Sequence, residues 1–149
     1  MESVASTPLQ GQTGGLAEDA RLRELQRRDQ QVRRHELAHR TVGSPYTSPA
    51  RFDYQTGPDG RRYAVGGEVR IDAAPVAGDL EATVAKMRIV IAAALAPVDP
   101  STQDRAVAAR AGRELQQATI ELRREQVDQA LGPYREAPPR SGAAIDVSA

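Results

Sequence analysis

Hydrophobic and polar positions predict one long helix near the start of the chain. Residues 16–42 contain no proline or glycine, and apolar side chains recur there at helical spacing, namely Leu22, Leu25 and Val32. Gly43, followed by Ser44-Pro45, is a suitable stop. Residues 1–15 are rich in Ser, Thr, Gln and Gly without an apolar period, so we expect a disordered lead there.

Two further helices are predicted in the second half. Asp79 can cap a helix over residues 80–95, whose buried face would hold Leu80, Val84, Met87, Ile91 and Ala94. Ser101 and Asp104 resemble a capping box that opens another helix, which runs to about residue 131 and stops at Gly132-Pro133. Its apolar side would hold Val107, Ala111, Leu115, Ala118 and Leu122, with Val127 as a further candidate.

The segment between these helices has the pattern of a small sheet. Residues 57–60 (Gly-Pro-Asp-Gly) are a strong turn signal between residues 53–56 and 61–65, which predicts a β-hairpin. Gly66-Gly67 is expected to break the strand, and residues 68–72 alternate as a short third strand would. The predicted fold is therefore α+β and mainly helical: one long helix, a small antiparallel sheet and two further helices.

Length and composition limit the domain organisation. A chain of 149 residues suits one domain, which we place at residues 16–131, with a Pro/Gly/Ala/Ser-rich disordered tail over 132–149. There is no cysteine, which excludes disulfides and thiolate ligands. No signal peptide and no membrane-spanning run is present, so we expect a bacterial-type cytoplasmic location, with signal-independent secretion left open.

Charge argues against a nucleic-acid partner. The formal net charge is zero, and the arginines of the first helix are interleaved with acidic residues rather than gathered in one stripe. An ion-paired, solvated helix face explains them better than DNA binding does. The sequence indicates no oligomeric state.

The strongest chemical signal is the sequence His35-Glu36-Leu37-Ala38-His39, near the end of the first helix. Residues i and i+4 lie on the same helix face, so both imidazoles can reach one zinc ion. Glu36 lies beside that ion and can take a proton from its water, as in HExxH peptidases. These are the only two histidines in the chain, which makes the pairing more informative.

A catalytic zinc usually has three protein ligands, and the absence of other His and Cys leaves a carboxylate or, less often, a tyrosine as the third. Glu68 is favoured because it follows two glycines, which permit close approach of the backbone to another element. The other candidates are Asp53, Asp59, Asp72, Glu81 and the carboxylates of the last helix.

The same residues resemble a known family. The HELAH motif, the block YQTGPDGRRYAVGGEV (residues 54–69) and the segment STQDRAVA (residues 101–108) are similar to the SprA-related family of bacterial proteins, which are regarded as metalloproteases. The resemblance covers about residues 29–112, and residues 50–53 depart from it. It implies His35 and His39 as zinc ligands, Glu36 as the base and Glu68 as the third ligand.

These observations together predict a zinc metallopeptidase acting on a peptide or protein substrate. Tyr63 or Tyr54 could stabilise the oxyanion, with Tyr63 preferred, and an exposed hairpin strand could bind an extended peptide. The alternative is a non-enzymatic helical interaction module with a structural or incidental metal site. Nucleic-acid binding through the first helix is a weaker third interpretation.

Overall fold

The computed structural model describes residues 10–135 and has five elements. In chain order these are α1 (Gln10–Gly43), β1 (Arg51–Thr56), β2 (Arg62–Glu68), α2 (Leu80–Ala94) and α3 (Thr102–Arg135). The two strands form one antiparallel sheet. The predicted α+β, mainly helical fold is confirmed.

Two helices are longer than the sequence predicted. α1 begins at Gln10, so residues 10–15 are helical although their composition favoured disorder. Once a helix is nucleated, each added residue gains one hydrogen bond at little cost, which allows this extension. α3 continues through Gly132 and Pro133 to Arg135. The remaining parts of the predicted lead and tail, residues 1–9 and 136–149, lie outside the described residues.

The predicted hairpin is confirmed, together with its turn. Gly57 N donates to Arg61 O at 2.8 Å, and Gly60 has a φ of +75°, a conformation that favours glycine. The pairing has a β-bulge next to Asp53 and Tyr54, where the register shifts by one residue.

Beyond the bulge the structure differs from the prediction. β2 continues through Gly66 and Gly67, which pair with Asp53 and Phe52, so the two glycines do not break the strand. The expected third strand is absent from the described residues, where only an isolated bridge joins Thr47 to Ile71. Glycine removes the side chains that would otherwise keep β2 away from α1, and Gly67 lies against that helix.

α2 and α3 pack against each other around a small core of Met87, Val90 and Ala111. Asp79 caps α2 as predicted, accepting a hydrogen bond from Ala82 N at 2.8 Å. The buried face of α2 also contains two polar residues that the apolar pattern did not include, Thr83 and Lys86. Both are satisfied: Lys86 Nζ donates to Asp72 Oδ2 at 2.7 Å, and Thr83 Oγ1 donates to the carbonyl of Asp79.

α1 joins the sheet to the helical pair. Its buried Leu25 and Val32 face inwards, β2 packs along it, and its last turn meets α2 at Gly43 and Ala93. The spatial order is therefore β1, β2, α1, α2, α3. Among the helices of residues 10–135, none has the length and hydrophobicity that crossing a membrane requires.

Candidate metal centre

His35 and His39 lie one turn apart on α1 and turn their Nε2 atoms towards each other. The two nitrogens are 3.2 Å apart, and the rings meet edge to face. His39 is 2% exposed, whereas the side chain of His35 keeps 28% of its surface open to solvent. The pair therefore has a buried side towards α2 and an open side towards solvent.

The third residue of this cluster is Asp104, in the first turn of α3. Its Oδ2 lies 3.4 Å from His35 Nε2, and its Oδ1 lies 3.3 Å from His39 Nε2. The ligand atoms of the three side chains all lie within 4.8 Å of one another. Asp104 thus brings a carboxylate to the histidine pair from α3, whose backbone does not approach that of α1 closely in the described residues.

Local structure holds the Asp104 carboxylate in place. Ser101 N donates to Asp104 Oδ2 at 2.7 Å, and Asp104 N donates to Ser101 Oγ at 3.1 Å, which is the predicted capping box. Although burial works to raise it, the pKa of Asp104 lies below its ordinary value, because the Ser101 hydrogen bonds and the two imidazoles favour the charged form. A helix N-terminus also favours an anion.

The orientation of His39 is set by α2. His39 Nδ1 lies 2.9 Å from the carbonyl oxygen of Ala93, which can only accept a hydrogen bond. Nδ1 therefore carries the proton, and in the neutral ring Nε2 presents a lone pair to Asp104 and His35. This is the arrangement that usually orients a histidine ligand from behind.

Glu36 lies beside this cluster and is 4% exposed. Burial raises the pKa of its carboxyl above the ordinary value, the neighbouring imidazoles oppose that shift, and the charges of Asp104 and Glu68 add to it. Gly67 closes over the side chain: a Cβ built on Gly67 would lie 2.7 Å from Glu36 Cγ. A strand without a side chain at this point is what leaves room for Glu36.

The donor set fits a zinc ion. With ligand bonds of about 2.0–2.1 Å and tetrahedral angles, neighbouring ligand atoms should be about 3.3–3.4 Å apart. The two imidazole nitrogens are 3.2 Å apart, but Asp104 approaches them through different oxygens, with Oδ2 3.4 Å from His35 Nε2 and Oδ1 3.3 Å from His39 Nε2. With one ligand atom per residue, the three atoms lie within 4.8 Å of one another, so binding through a single oxygen requires the carboxylate to turn. Either a proton on His35 Nε2 or a bound cation would relieve the repulsion between lone pairs at these distances. Two imidazoles and one carboxylate are also a common ligand set for catalytic zinc.

The structure brings together a different set from the one that the sequence favoured. Glu68, the preferred third ligand, ends β2 with its side chain 54% exposed, and its Oε1 lies 3.4 Å from Arg70 Nε. The negative charge of Glu68 helps to raise the pKa of Glu36, but Glu68 does not belong to the group formed by His35, His39 and Asp104. The other named candidates have separate surroundings: Asp53 lies by Gly66, Asp59 binds Tyr63, Asp72 binds Lys86, and Glu81 lies in the first turn of α2.

From the sequence, Asp104 is predicted only as a helix cap and as one of several carboxylates on the last helix. Its capping role was visible in the sequence, because Ser101 precedes it by three residues. Its proximity to the histidines depends on how α2 returns the chain to the end of α1, and no local pattern encodes that. The missed candidate ligand is therefore the one contributed by tertiary structure.

Tyr63 lies away from the histidine cluster. It is buried in the hairpin, and its hydroxyl donates to Asp59 Oδ2 at 2.6 Å, which raises the pKa of the phenol. The hydroxyl also lies beside Gln26, which precedes His35 by more than two turns of α1. Tyr54 is 41% exposed and stacks with Arg62. Both tyrosines have roles in hairpin packing.

Two cavities open beside His35. One, of about 240 Å³, lies between α1 and β2 and is lined by Arg28, Gln31, Val32, His35, Glu36, Gly66 and Gly67. The other, of about 430 Å³, lies between α1 and the α2–α3 loop, which contributes residues 96–99. Since His35 borders both cavities, a bound molecule could extend across the site from one to the other.

Comparison with known proteins gives one match. A model of the SprA-related family matches residues 7–137, which includes every residue of the cluster. No curated protein and no solved structure matches the chain. Because the matched region spans most of the sequence, the chain belongs to the SprA-related family.

Proposed function

We propose that this protein is a zinc-dependent metallopeptidase whose ligands are His35, His39 and Asp104. The observation that supports this most directly is the convergence of three ligand atoms beside a buried glutamate. Three protein ligands and an open side are typical of catalytic zinc, whereas structural zinc sites are closed by four. The exposed edge of His35 provides the open side.

In this proposal each group of the site has a separate role. Zinc in such a site supplies Lewis acidity and lowers the pKa of its water towards 7. Glu36 takes a proton at its carboxylate and passes it to the leaving amine. The carbonyl of Ala93 keeps His39 in the correct tautomer, and the capping box keeps Asp104 ionised and oriented.

The substrate is a peptide in extended conformation. The cavity between α1 and β2 borders Glu36 and has Gly66 and Gly67 as one wall, so the strand backbone at this point is not covered by side chains. A peptide lying there could pair with the strand and bring a carbonyl carbon close to the Glu36 carboxylate.

The test combines metal binding with hydrolysis. Wild type should bind about one zinc per chain and gain thermal stability from it, about 2.7 kcal/mol at a hundredfold excess over the dissociation constant. His39→Ala should lose both effects. Glu36→Gln should keep the metal but lose cleavage of a peptide library that wild type cleaves, because it keeps the side-chain shape and removes the base.

Three outcomes would count against the proposal. Wild type that neither binds zinc nor is stabilised by it would remove the metal site. Full cleavage by Glu36→Gln would remove the assigned base. Zinc binding by wild type without any cleavage of the library would favour a structural metal in an interaction module.

A further inference from the structure

The distal half of α3 carries an apolar stripe that nothing in the described part of the chain covers. It consists of four exposed side chains, with exposed fractions of 47% for Ile120, 50% for Val127, 41% for Leu131 and 82% for Tyr134. At about 100° per residue these positions fall within about 60° of arc on one helix face. They include a repeat of seven residues, which is the spacing of helices that pair along a seam.

This stripe is not an extension of the core. The residues of α3 that face α2, such as Ala111 and Ala118, lie on the opposite side of the helix. Beyond Leu122 that core side becomes polar, with Glu125, Gln126 and Gln129. A cavity of about 540 Å³ lies against the stripe around Ile120 and Val127, and the described residues that line it all belong to α3.

We propose that the stripe is the contact surface of an antiparallel dimer with a second copy of this chain. A two-fold axis beside Val127 would place Ile120 of one copy near Tyr134 of the other and the two Val127 side chains against each other. Ile120, Val127 and Tyr134 then each have an apolar partner, and Leu131 lies between the levels of Ile120 and Val127 of the other copy. The proposal rests on this helix alone and does not depend on the metal chemistry.

The charges beside the stripe select the antiparallel direction. One flank contains Glu121, Arg124, Asp128 and Arg135. Within one chain Arg135 Nη1 lies 3.6 Å from Asp128 Oδ1, with both side chains largely exposed. In an antiparallel pair this flank faces its own copy in reverse order, so Arg124 meets this ion pair at Asp128 and Glu121 meets it at Arg135. In a parallel pair this flank would instead face the opposite flank of the other copy, which contains Arg123. Arg124 would then meet Arg123, and the two positive charges would repel each other. Opposite charges beside such a seam set partner orientation.

The contact should be weak. The stripe is about 21 Å long at 1.5 Å per residue, and a helix is about 10 Å wide. Two such surfaces bury less than the roughly 1,200 Å² of total area found in stable complexes. We therefore expect a dissociation constant between about 1 µM and 1 mM, with monomer and dimer exchanging as the concentration changes.

Sedimentation equilibrium over that concentration range tests self-association. Wild type should change from monomer to dimer, and Val127→Glu should remain a monomer, because a charge on the seam would be buried without a partner. The matched control is Ala109→Glu, which adds the same charge to the same face of α3 in its proximal half, and this variant should dimerise as wild type does. A monomer at every concentration, or a dimer that Val127→Glu leaves intact, would overturn the proposal.

The lack of native cysteine allows the orientation to be tested directly. Under mild oxidation Val127→Cys should form a disulfide with itself. Ile120→Cys should not, but it should cross-link to Tyr134→Cys when the two variants are mixed. Self-linking of Ile120→Cys at a comparable yield would overturn the antiparallel arrangement.

Charge exchange gives an independent check of the same arrangement. Arg124→Glu and Asp128→Arg should each weaken the dimer about tenfold, which corresponds to about 1.4 kcal/mol. The double variant should restore most of the loss, since the charges again complement one another across the axis. A double variant weaker than both single variants would contradict this pairing.

Discussion

Asp104 has two roles at once, since it caps α3 and contributes an oxygen to the histidine cluster. Replacing it therefore removes both a cap and a ligand, and the two effects need separate variants. Ser101 offers that separation because it belongs to the same capping box but has no atom in the cluster.

We expect Asp104→Ala to weaken zinc binding more than about 100-fold, since even outer-shell partners are worth about 10–100-fold. Ser101→Ala should cost about 1 kcal/mol of stability from the cap and leave zinc affinity much closer to wild type. Glu68→Ala should change affinity only a few-fold. Competition against a metal-sensitive dye measures all three, and a large loss in Glu68→Ala with a silent Asp104→Ala would return the assignment to Glu68.

Gly67 shows how one missing side chain shapes the site. A methyl group at this position would collide with Glu36 at 2.7 Å, whereas one at Gly66 would meet only the end of the exposed Asp53 side chain at 3.1 Å. Gly67→Ala should therefore destabilise the protein by about 1–3 kcal/mol, the usual cost of overpacking, and Gly66→Ala by clearly less. Urea unfolding measures the loss of stability in both variants. Equal losses would mean that β2 shifts to accommodate the methyl group, so that the contact with Glu36 does not determine the cost.

At the scale of elements, the hairpin is attached to α1 through Asp29. Its Oδ1 accepts a hydrogen bond from Ala64 N at 2.7 Å and another from Arg33 Nε at 3.0 Å. These bonds hold the pKa of Asp29 below its ordinary value. The same side chain thus pairs within α1 and holds the edge of β2.

The lowered pKa of Asp29 gives a pH dependence. Its stabilising contribution is complete above the unfolded-state value near 4 and is lost as the pH falls through the lower folded-state value. Asp29→Asn keeps an oxygen for Ala64 N, so we expect a loss of about 1 kcal/mol at neutral pH. The fall in stability on acidification from about pH 5 to 3 should be smaller than in wild type.

Asp19→Asn is the control for this acid titration, since Asp19 lies on an exposed part of the same helix. It should follow the wild-type unfolding curve at each pH. If Asp29→Asn also follows that curve, the hydrogen bond to Ala64 does not contribute to holding the hairpin.

Local sequence signals were enough to predict most of the helices and strands. The cap at Asp79, the capping box at Ser101 and the turn at Gly60 encode their own geometry within a few residues, and each lies where the sequence predicted. The errors arose where a distant element changes the outcome. Gly66 and Gly67 resemble a strand break in isolation, but they continue β2 because α1 packs against them.

The same distinction applies to the site. His35 and His39 are four residues apart, so helix geometry alone brings them together as predicted. Asp104 reaches them only through the packing of α3 on α2, and Glu68 ends near Glu36 without entering the cluster. Val127 was a candidate for the core side of α3, but α2 ends before reaching it, and the residue is half exposed on the opposite face.

For the whole molecule, the histidine cluster lies between α1, in the middle of the packing order, and α3, at one end of it. β1, β2, α1, α2 and α3 contact one another in sequence, and among the described elements the backbones of α1 and α3 do not approach closely, whereas the side chains of His35, His39 and Asp104 do. An ion bound there would join elements that are otherwise separated by α2. Metal binding should therefore stabilise the entire helical arrangement rather than one loop.

The part of α3 that extends past the end of α2 should exchange its amide protons with solvent at a different rate from the rest of the helix. From Arg123 to Leu131 every residue is exposed, so this part of the helix is held mainly by its own hydrogen bonds, and helices of this length are marginal in water. Its amide protons should exchange much faster than those around Ala111 in dilute protein, and more slowly as the dimer forms. Far-ultraviolet circular dichroism should show helicity rising with concentration in wild type but not in Val127→Glu. Protein concentration would then determine how much of α3 is folded.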